Sequence, residues 1–308
     1  MDKYILYTIV GTVLGVGSLV LLNYRQTPPM DAAGAAVYWH DRIAAVGGEE
    51  AYQELGRAMT GEPRQTQHEQ AHAFGGELFT LEGVVGLGVC DSSFDYGCYH
   101  EFLGRAIAAT GLTALSTLDQ ACFSVLAKSP LSCQHGLGHG IVASLGYTSA
   151  ALQDALAACH GLPDNDPIAG CDGGVFMEYN FALMLSEQSR TRPLGTDPFE
   201  PCSTLAASYR AGCYFWQPQW WAAVLQPLDD QAMFAQMGEW CSRSDTFRAE
   251  CFEGIGYVSA PQSQFTATKA DALCGAASVD PTLRSLCTRV AEGFINHEGF
   301  APVWAAEQ

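Results

Sequence analysis

The sequence predicts an all-α fold: a right-handed α-solenoid of about seven helix-pair repeats behind one N-terminal transmembrane helix. Three observations predict it. Nineteen consecutive residues, 4–22, carry no charge. Twelve cysteines recur in neighbouring pairs through the rest of the chain. Segments rich in Ala and Leu, with apolar residues at helical spacing, precede several of those pairs.

Along the chain, the first element is YILYTIVGTVLGVGSLVLL, Tyr4 to Leu22. As a helix it spans roughly 28 Å at about 1.5 Å per residue, close to one hydrocarbon core. A cleaved signal peptide is the rival reading, but its apolar region is usually shorter. The small residues Ala33, Gly34 and Ala35 lie well beyond the apolar run. We therefore expect an uncleaved anchor over residues 1–24, a stalk and leading helix over 25–47, and a helical-repeat domain over 48–308. Lys3 and Arg25 flank the anchor almost symmetrically and leave its orientation open.

Cysteine usage supplies the orientation. Twelve cysteines in a pattern unlike CxxC metal knuckles suggest disulfides, and disulfides in that number imply an oxidising compartment. The main domain is expected outside the cytoplasm, in the periplasm or at the cell exterior. The composition, 48% hydrophobic and 16% charged, describes a packed protein and not a disordered one. The net charge of −18 repels phosphate backbones, so nucleic-acid binding is excluded as a function class. A cation or a basic protein partner would be attracted instead.

Pairing neighbours gives Cys90–Cys98, Cys122–Cys133, Cys159–Cys171, Cys202–Cys213, Cys241–Cys251 and Cys274–Cys287. Consecutive second cysteines lie 35, 38, 42, 38 and 36 residues apart, the period of helix-pair repeats. TALSTLDQAC (113–122), SAALQDALAAC (149–159) and DDQAMFAQMGEWC (229–241) read as first helices, each ended by its cysteine. AKSP (127–130) and PDNDP (163–167) read as loops. The second cysteine then opens a second helix, as in SCQHGLGHGIVA. A bridge across such a hairpin closes a loop of about ten residues and stabilises by roughly 2.5–3 kcal/mol in the chain-entropy estimate. Other pairings remain open from sequence alone.

This plan resembles Sel1-like and tetratricopeptide-type solenoids, above all secreted cysteine-rich Sel1-like proteins with one hairpin disulfide per repeat. The likeness covers about residues 48–300 as architecture. Seven residues separate the paired cysteines of those proteins, a spacing kept here only by Cys90–Cys98, and the Sel1 glycine and tyrosine pattern is not kept. The resemblance implies an extended stack with a concave interaction surface. It transfers no active site.

Gly136, Gly174 and Gly254 each stand three residues after a second cysteine. Glycine costs a helix about 1 kcal/mol against alanine, so its recurrence predicts close approach of neighbouring helices. The spacing fits neither a phosphate loop nor a dinucleotide fingerprint, and no nucleotide cofactor is expected.

The histidines follow the same register. His135 and His139 lie two and six residues after Cys133, and His100 two after Cys98. Aligning Thr66 with Cys133 places His68 and His72 at those two offsets, which makes the first repeat an unstapled copy. Residues four apart share a helical face. His68, His72, His100, His135 and His139 are therefore candidate ligands of a transition metal ion (Zn, Cu or Fe), with Glu69, Glu77 and Glu101 as supporting groups. Adjacent packed helices stand roughly 8–10 Å apart, so the outer pairs share one ion only in a sharply curved stack; otherwise there are two sites. A buried polar network without metal, and direct ligand or proton chemistry, are the competing readings. HEQAH (68–72) also matches HExxH, which would make Glu69 the catalytic base of a metal-dependent hydrolase. Gly136 stands where the partner pair would need that glutamate, so repeat logic explains the spacing without peptidase chemistry. His40, His160 and His297 have no matching partner and read as surface or capping residues.

Trp216, Trp220 and Trp221 cluster around Pro218, which should break a helix or delay its start. They read as core packing or, alternatively, as an aromatic docking patch. No GxSxG elbow occurs, and bridged cysteines leave no thiol nucleophile. The expected function is a membrane-anchored binding or assembly subunit with a histidine metal site, accessory to a membrane complex or docking a basic soluble protein. A metal-dependent enzyme (hydrolase or oxidoreductase) and a purely structural spacer are the alternatives.

Overall fold

The structure, a computed structural model, describes residues 28–29, 31–125, 130–163, 165–182 and 191–296. The apolar segment 4–22, the anchor boundary at residue 24 and His297 lie outside the described residues. Among the described residues no helix is long and apolar enough to cross a membrane.

Thirteen α-helices and no strand occur among the described residues. A leading helix α1 (Ala32–Val46) precedes the unstapled pair α2 (Gly48–Ala58) and α3 (Arg64–Glu82). Then come α4 (Gly97–Thr110), α5 (Leu115–Val125), α6 (Pro130–Leu145), α7 (Ser149–His160) and α8 (Cys171–Phe181). The chain continues with α9 (Ala207–Val224), α10 (Asp230–Ser242), α11 (Arg248–Gln262), α12 (Ala267–Ala277) and α13 (Pro281–Ile295). Starts are set by capping side chains: Asp31, Thr148, Asp229 and Asp280 each accept from backbone N–H groups of the first turn. Pro281 stands at the first turn of α13, where its missing N–H costs nothing.

All six neighbouring cysteine pairs are bridged, with Cα–Cα separations of 5.5–5.7 Å. Cys122, Cys159, Cys241 and Cys274 sit in or near the last turn of α5, α7, α10 and α12, as the sequence leads one to expect. Two stapled units depart from the helix-pair plan. The stretch before Cys90 is a 3-10 helix, Gly83–Val89, with glycine at 83, 86 and 88 in place of helix formers. The described stretch before Cys202, residues 191–201, contains no helix and carries three prolines. Cys213 and Cys287 do not open their helices; α9 and α13 begin six residues earlier.

The second helices pack on one another in order, α3 on α4, α4 on α6, α6 on α8, α8 on α9, α9 on α11 and α11 on α13. Glycine sets how closely. A methyl group at Gly174 would stand 1.9 Å from the His135 carbonyl oxygen, and one at Gly254 2.0 Å from that of Phe215. Both glycines lie three residues after a second cysteine, and both carbonyls two after the preceding one. Backbone therefore rests on backbone at the same step of two different repeats.

Pro218 does not break a helix: α9 runs through it. Its ring packs where Gly254 lacks a Cβ, 3.1 Å from that position, so the packing on α11 offsets the lost N–H. Trp216, Trp220 and Trp221 are all fully buried. Their indole N–H groups donate to the carbonyls of Ile168, Arg192 and Pro198. They form core and not a docking patch, because each ring and each polar handle is used internally. The face expected as an open concavity is likewise filled: the rings of His135, Trp216, Tyr257 and Phe294 follow one another at centroid spacings of 5.4, 5.1 and 4.7 Å. The Arg64 guanidinium at the start of α3 stacks 4.3 Å over Phe265 beyond α11, joining the first hairpin to the sixth.

Gly174→Ala should lower stability by at least about 1–3 kcal/mol through overpacking. Gly56→Ala, in a helix interior with open space around it, should raise it by about 0.5–1 kcal/mol; urea titration of both distinguishes packing from propensity. A pH effect follows from Asp172, buried at the start of α8 with Oδ1 lacking a hydrogen-bond partner. Burial pushes its carboxyl up to about 6, against the lowering influence of Asn165 and His160. The folded state then holds the proton longer than the unfolded chain, so this contribution is complete below about pH 4 and lost towards pH 6, about 2–3 kcal/mol in all. Asp172→Asn should remove that slope in thermal melts taken between pH 4 and 7.

Candidate metal centre

Three consecutive second helices bring the five histidines together. His68 and His72 lie one turn apart on α3, His100 on the first turn of α4, His135 and His139 one turn apart on α6. The sequence SCQHGLGHGIV explains how α6 fits between its neighbours. Gly136 and Gly140 face α4, meeting Leu103, Tyr99 and Gly104, while Gly138 faces α8, where a methyl would stand 2.1 Å from the Cys171 carbonyl oxygen. The imidazole face lies between the two glycine faces. On α3, a methyl at Gly75 would likewise stand 2.1 Å from the carbonyl oxygen of Cys98, two residues before His100.

Two groups of three ring nitrogens result, His68–His72–His100 and His100–His135–His139, each with its ligand atoms within 4.8 Å of one another. His100 belongs to both. Each group could hold a metal ion. In the first, His68 Nε2 and His72 Nε2 are 3.0 Å apart, and His72 Nε2 and His100 Nδ1 3.3 Å. Two nitrogens bound tetrahedrally at about 2.0–2.1 Å stand about 3.3–3.4 Å from each other, so these spacings are already close to those of a ligated site. In the second, ring centroids lie 4.9 Å (His100–His139) and 5.1 Å (His135–His139) apart. His100, His135 and His139 are buried, whereas His68 and His72 are half-buried.

Hydrogen bonds orient the outer rings. His68 Nδ1 lies 2.8 Å from the Phe94 carbonyl oxygen. A carbonyl only accepts, so Nδ1 carries the proton and the neutral ring turns the Nε2 lone pair towards His72. At the other end, His139 Nδ1 donates to Glu178 Oε2 at 2.9 Å. In the neutral ring this places the lone pair of His139 at Nε2, which is buried and has no hydrogen-bond partner. Glu178 is fully buried, and its Oε1 accepts from the Tyr147 hydroxyl at 2.6 Å. A carboxylate behind an imidazole in this way fixes the tautomer and strengthens the ligand.

Electrostatics favour the neutral, ligand-competent form. Burial holds His72, His100 and His135 well below the ordinary imidazole range, and neighbouring imidazoles add to the effect. Burial lowers His68 as well, despite the Phe94 carbonyl and Asp95. The Tyr147 hydroxyl is pushed up by burial and by Glu178, and so stays protonated as a donor.

The acidic residues expected as supporting groups lie elsewhere. Glu69 is exposed and accepts from Gln65 Nε2 at 2.7 Å, one residue off the imidazole face. Glu77 pairs with His40 at 2.9 Å, which gives His40 a partner on α3, and Glu101 pairs with Arg105 at 2.8 Å. His160 stands in the last turn of α7, its ring centroid 6.4 Å from that of Tyr209. Glu178, seven residues after Cys171 and 39 from His139, is the supporting group that sequence reasoning missed; no motif in a single sequence marks it.

Glu178→Ala would leave the His139 N–H and the Tyr147 hydroxyl buried without their acceptor. It should destabilise by about 2–4 kcal/mol, with much less further loss on adding Tyr147→Phe; a double-mutant cycle in urea reads the coupling. No protein-family model, curated protein or solved structure matches this chain.

Proposed function

We propose that this chain is a membrane-anchored, extracytoplasmic α-solenoid that holds a transition metal in its histidine centre and acts as a binding or assembly subunit. One observation carries the reading. Five imidazoles from three successive helices converge, and the two outermost present Nε2 lone pairs inward because acceptors hold their Nδ1 protons. An all-imidazole donor set suits Zn, Cu or Fe and not the hard cations that prefer oxygen. Six disulfides suit an oxidising compartment, and residues 4–22 supply an apolar stretch long enough for a tether. The acidic surface favours a basic soluble partner or a place within a membrane complex.

A metal-dependent enzyme is the second reading, favoured by three nitrogens per group, which leave a coordination position open. Against it stands the use of the nearby acids: Glu178 is engaged by His139 and Tyr147, and Glu69 faces outward. A binding and assembly role asks for no such acid or base.

Elemental analysis of full-length protein purified in mild detergent should find Zn, Cu or Fe, reduced at least twofold in His68→Ala and in His139→Ala. A parent that carries none of these metals, and takes up neither Zn(II) nor Cu(II) on titration, overturns the metal reading. Glu69→Gln should leave metal content and any activity unchanged; loss of turnover in that variant would establish the enzyme instead.

A further inference from the structure

We propose that the centre holds two divalent transition ions, bridged by His100 as an imidazolate. The inference deepens the metal reading above and rests on it. His100 is the one residue common to both groups of ligands. Its Nδ1 is 3.3 Å from His72 Nε2 and is thereby committed to the first group. A ring nitrogen has one in-plane lone pair and serves one ion, so the second ion takes Nε2, on the far side of the ring from Nδ1. The second group has its own evidence of a ligand: His139 Nε2, in a side chain 1% exposed, has no hydrogen-bond partner. A buried nitrogen without a partner is destabilising, and a cation at that point would satisfy it.

The chemistry balances without a redox step. Neutral His100 has one N–H and one lone pair. Binding both ions breaks the remaining N–H bond, releases one proton to solvent, and leaves a bridging ring of charge −1 between two charges of +2. Each ion lowers the cost of that proton loss, as bound cations do for their ligands generally. The two ions and the bridging ring together carry +3, of which Glu178 behind His139 offsets at most one unit, and the rest lies within a chain of net charge −18.

Cu(II) titration of the metal-stripped full chain tests this. All twelve cysteines are bridged, so no thiol competes for copper. Uptake should saturate at about two ions per chain. The paramagnetic resonance signal should grow over the first equivalent, then fall to less than half of the two-ion intensity as the bridge couples the two spins. His68→Ala should bind about one ion and give an uncoupled signal. His139→Ala should do the same from the other side, and His100→Ala should abolish coupling, with circular dichroism confirming that each variant is folded. Saturation at one ion, or two ions whose signals simply add, overturns the bridge and leaves the single-metal reading standing. No uptake at all overturns both.

Discussion

The contact on which the rest of this molecule depends is backbone against backbone, between the second helices of successive hairpins. Helices separated by ordinary side chains stand roughly 8–10 Å apart, and imidazoles on neighbouring helices would then meet only at the tips. Here glycine removes the side chain at the point of contact. Gly75 rests on Cys98, Gly138 on Cys171 and Gly174 on His135, each with room for no Cβ. The register of that contact decides where the histidines go. Gly75 lies three residues after His72 and meets α4 two residues before His100, and Gly136 and Gly140 each follow a histidine of α6 and meet α4, so the close approach of these three helices and the convergence of their imidazoles occur at the same level.

The disulfides act at the other end of the same constraint. Each joins the end of one segment to the first two turns of the second helix, and so ties that helix to the segment before it. That tie holds even where the first α-helix is missing, before Cys90 and before Cys202. A covalent clamp over 8–13 residues restrains the unfolded chain locally, while glycine contacts between hairpins need long-range order. The two devices divide the labour: sulfur sets position within a hairpin, and glycine sets distance between hairpins. The product is a buried cluster of imidazoles in a strongly acidic protein, with Glu178 behind it.

Much of this was legible in the sequence. The period of the cysteines favours the six neighbouring bridges that the structure contains, since a hairpin of two helices brings such neighbours together. The histidine set follows from offsets of two and six after the second cysteine, because those offsets repeat one helical face. The glycines at offset three announced close packing, and they deliver it at Gly174 and Gly254. Other features were not legible. Pro218 reads as a helix breaker until Gly254 is seen to make room for its ring. The tryptophans read first as core, and the alternative of a docking patch is removed only when their indole nitrogens are seen to bond carbonyls at Ile168, Arg192 and Pro198.

By itself, the sequence favoured neighbouring cysteines as partners and indicated which histidines share a register and that the fold is all-helical, because these are short-range properties of helix period and loop length. Only the tertiary structure decided that His100 stands between two groups of ligands, that Glu178 and not Glu69 backs the centre, and that the inner face is filled. Those outcomes depend on how far apart helices from different repeats lie. That distance is a sum over packing contacts spread through the chain, and no local pattern of residues encodes it.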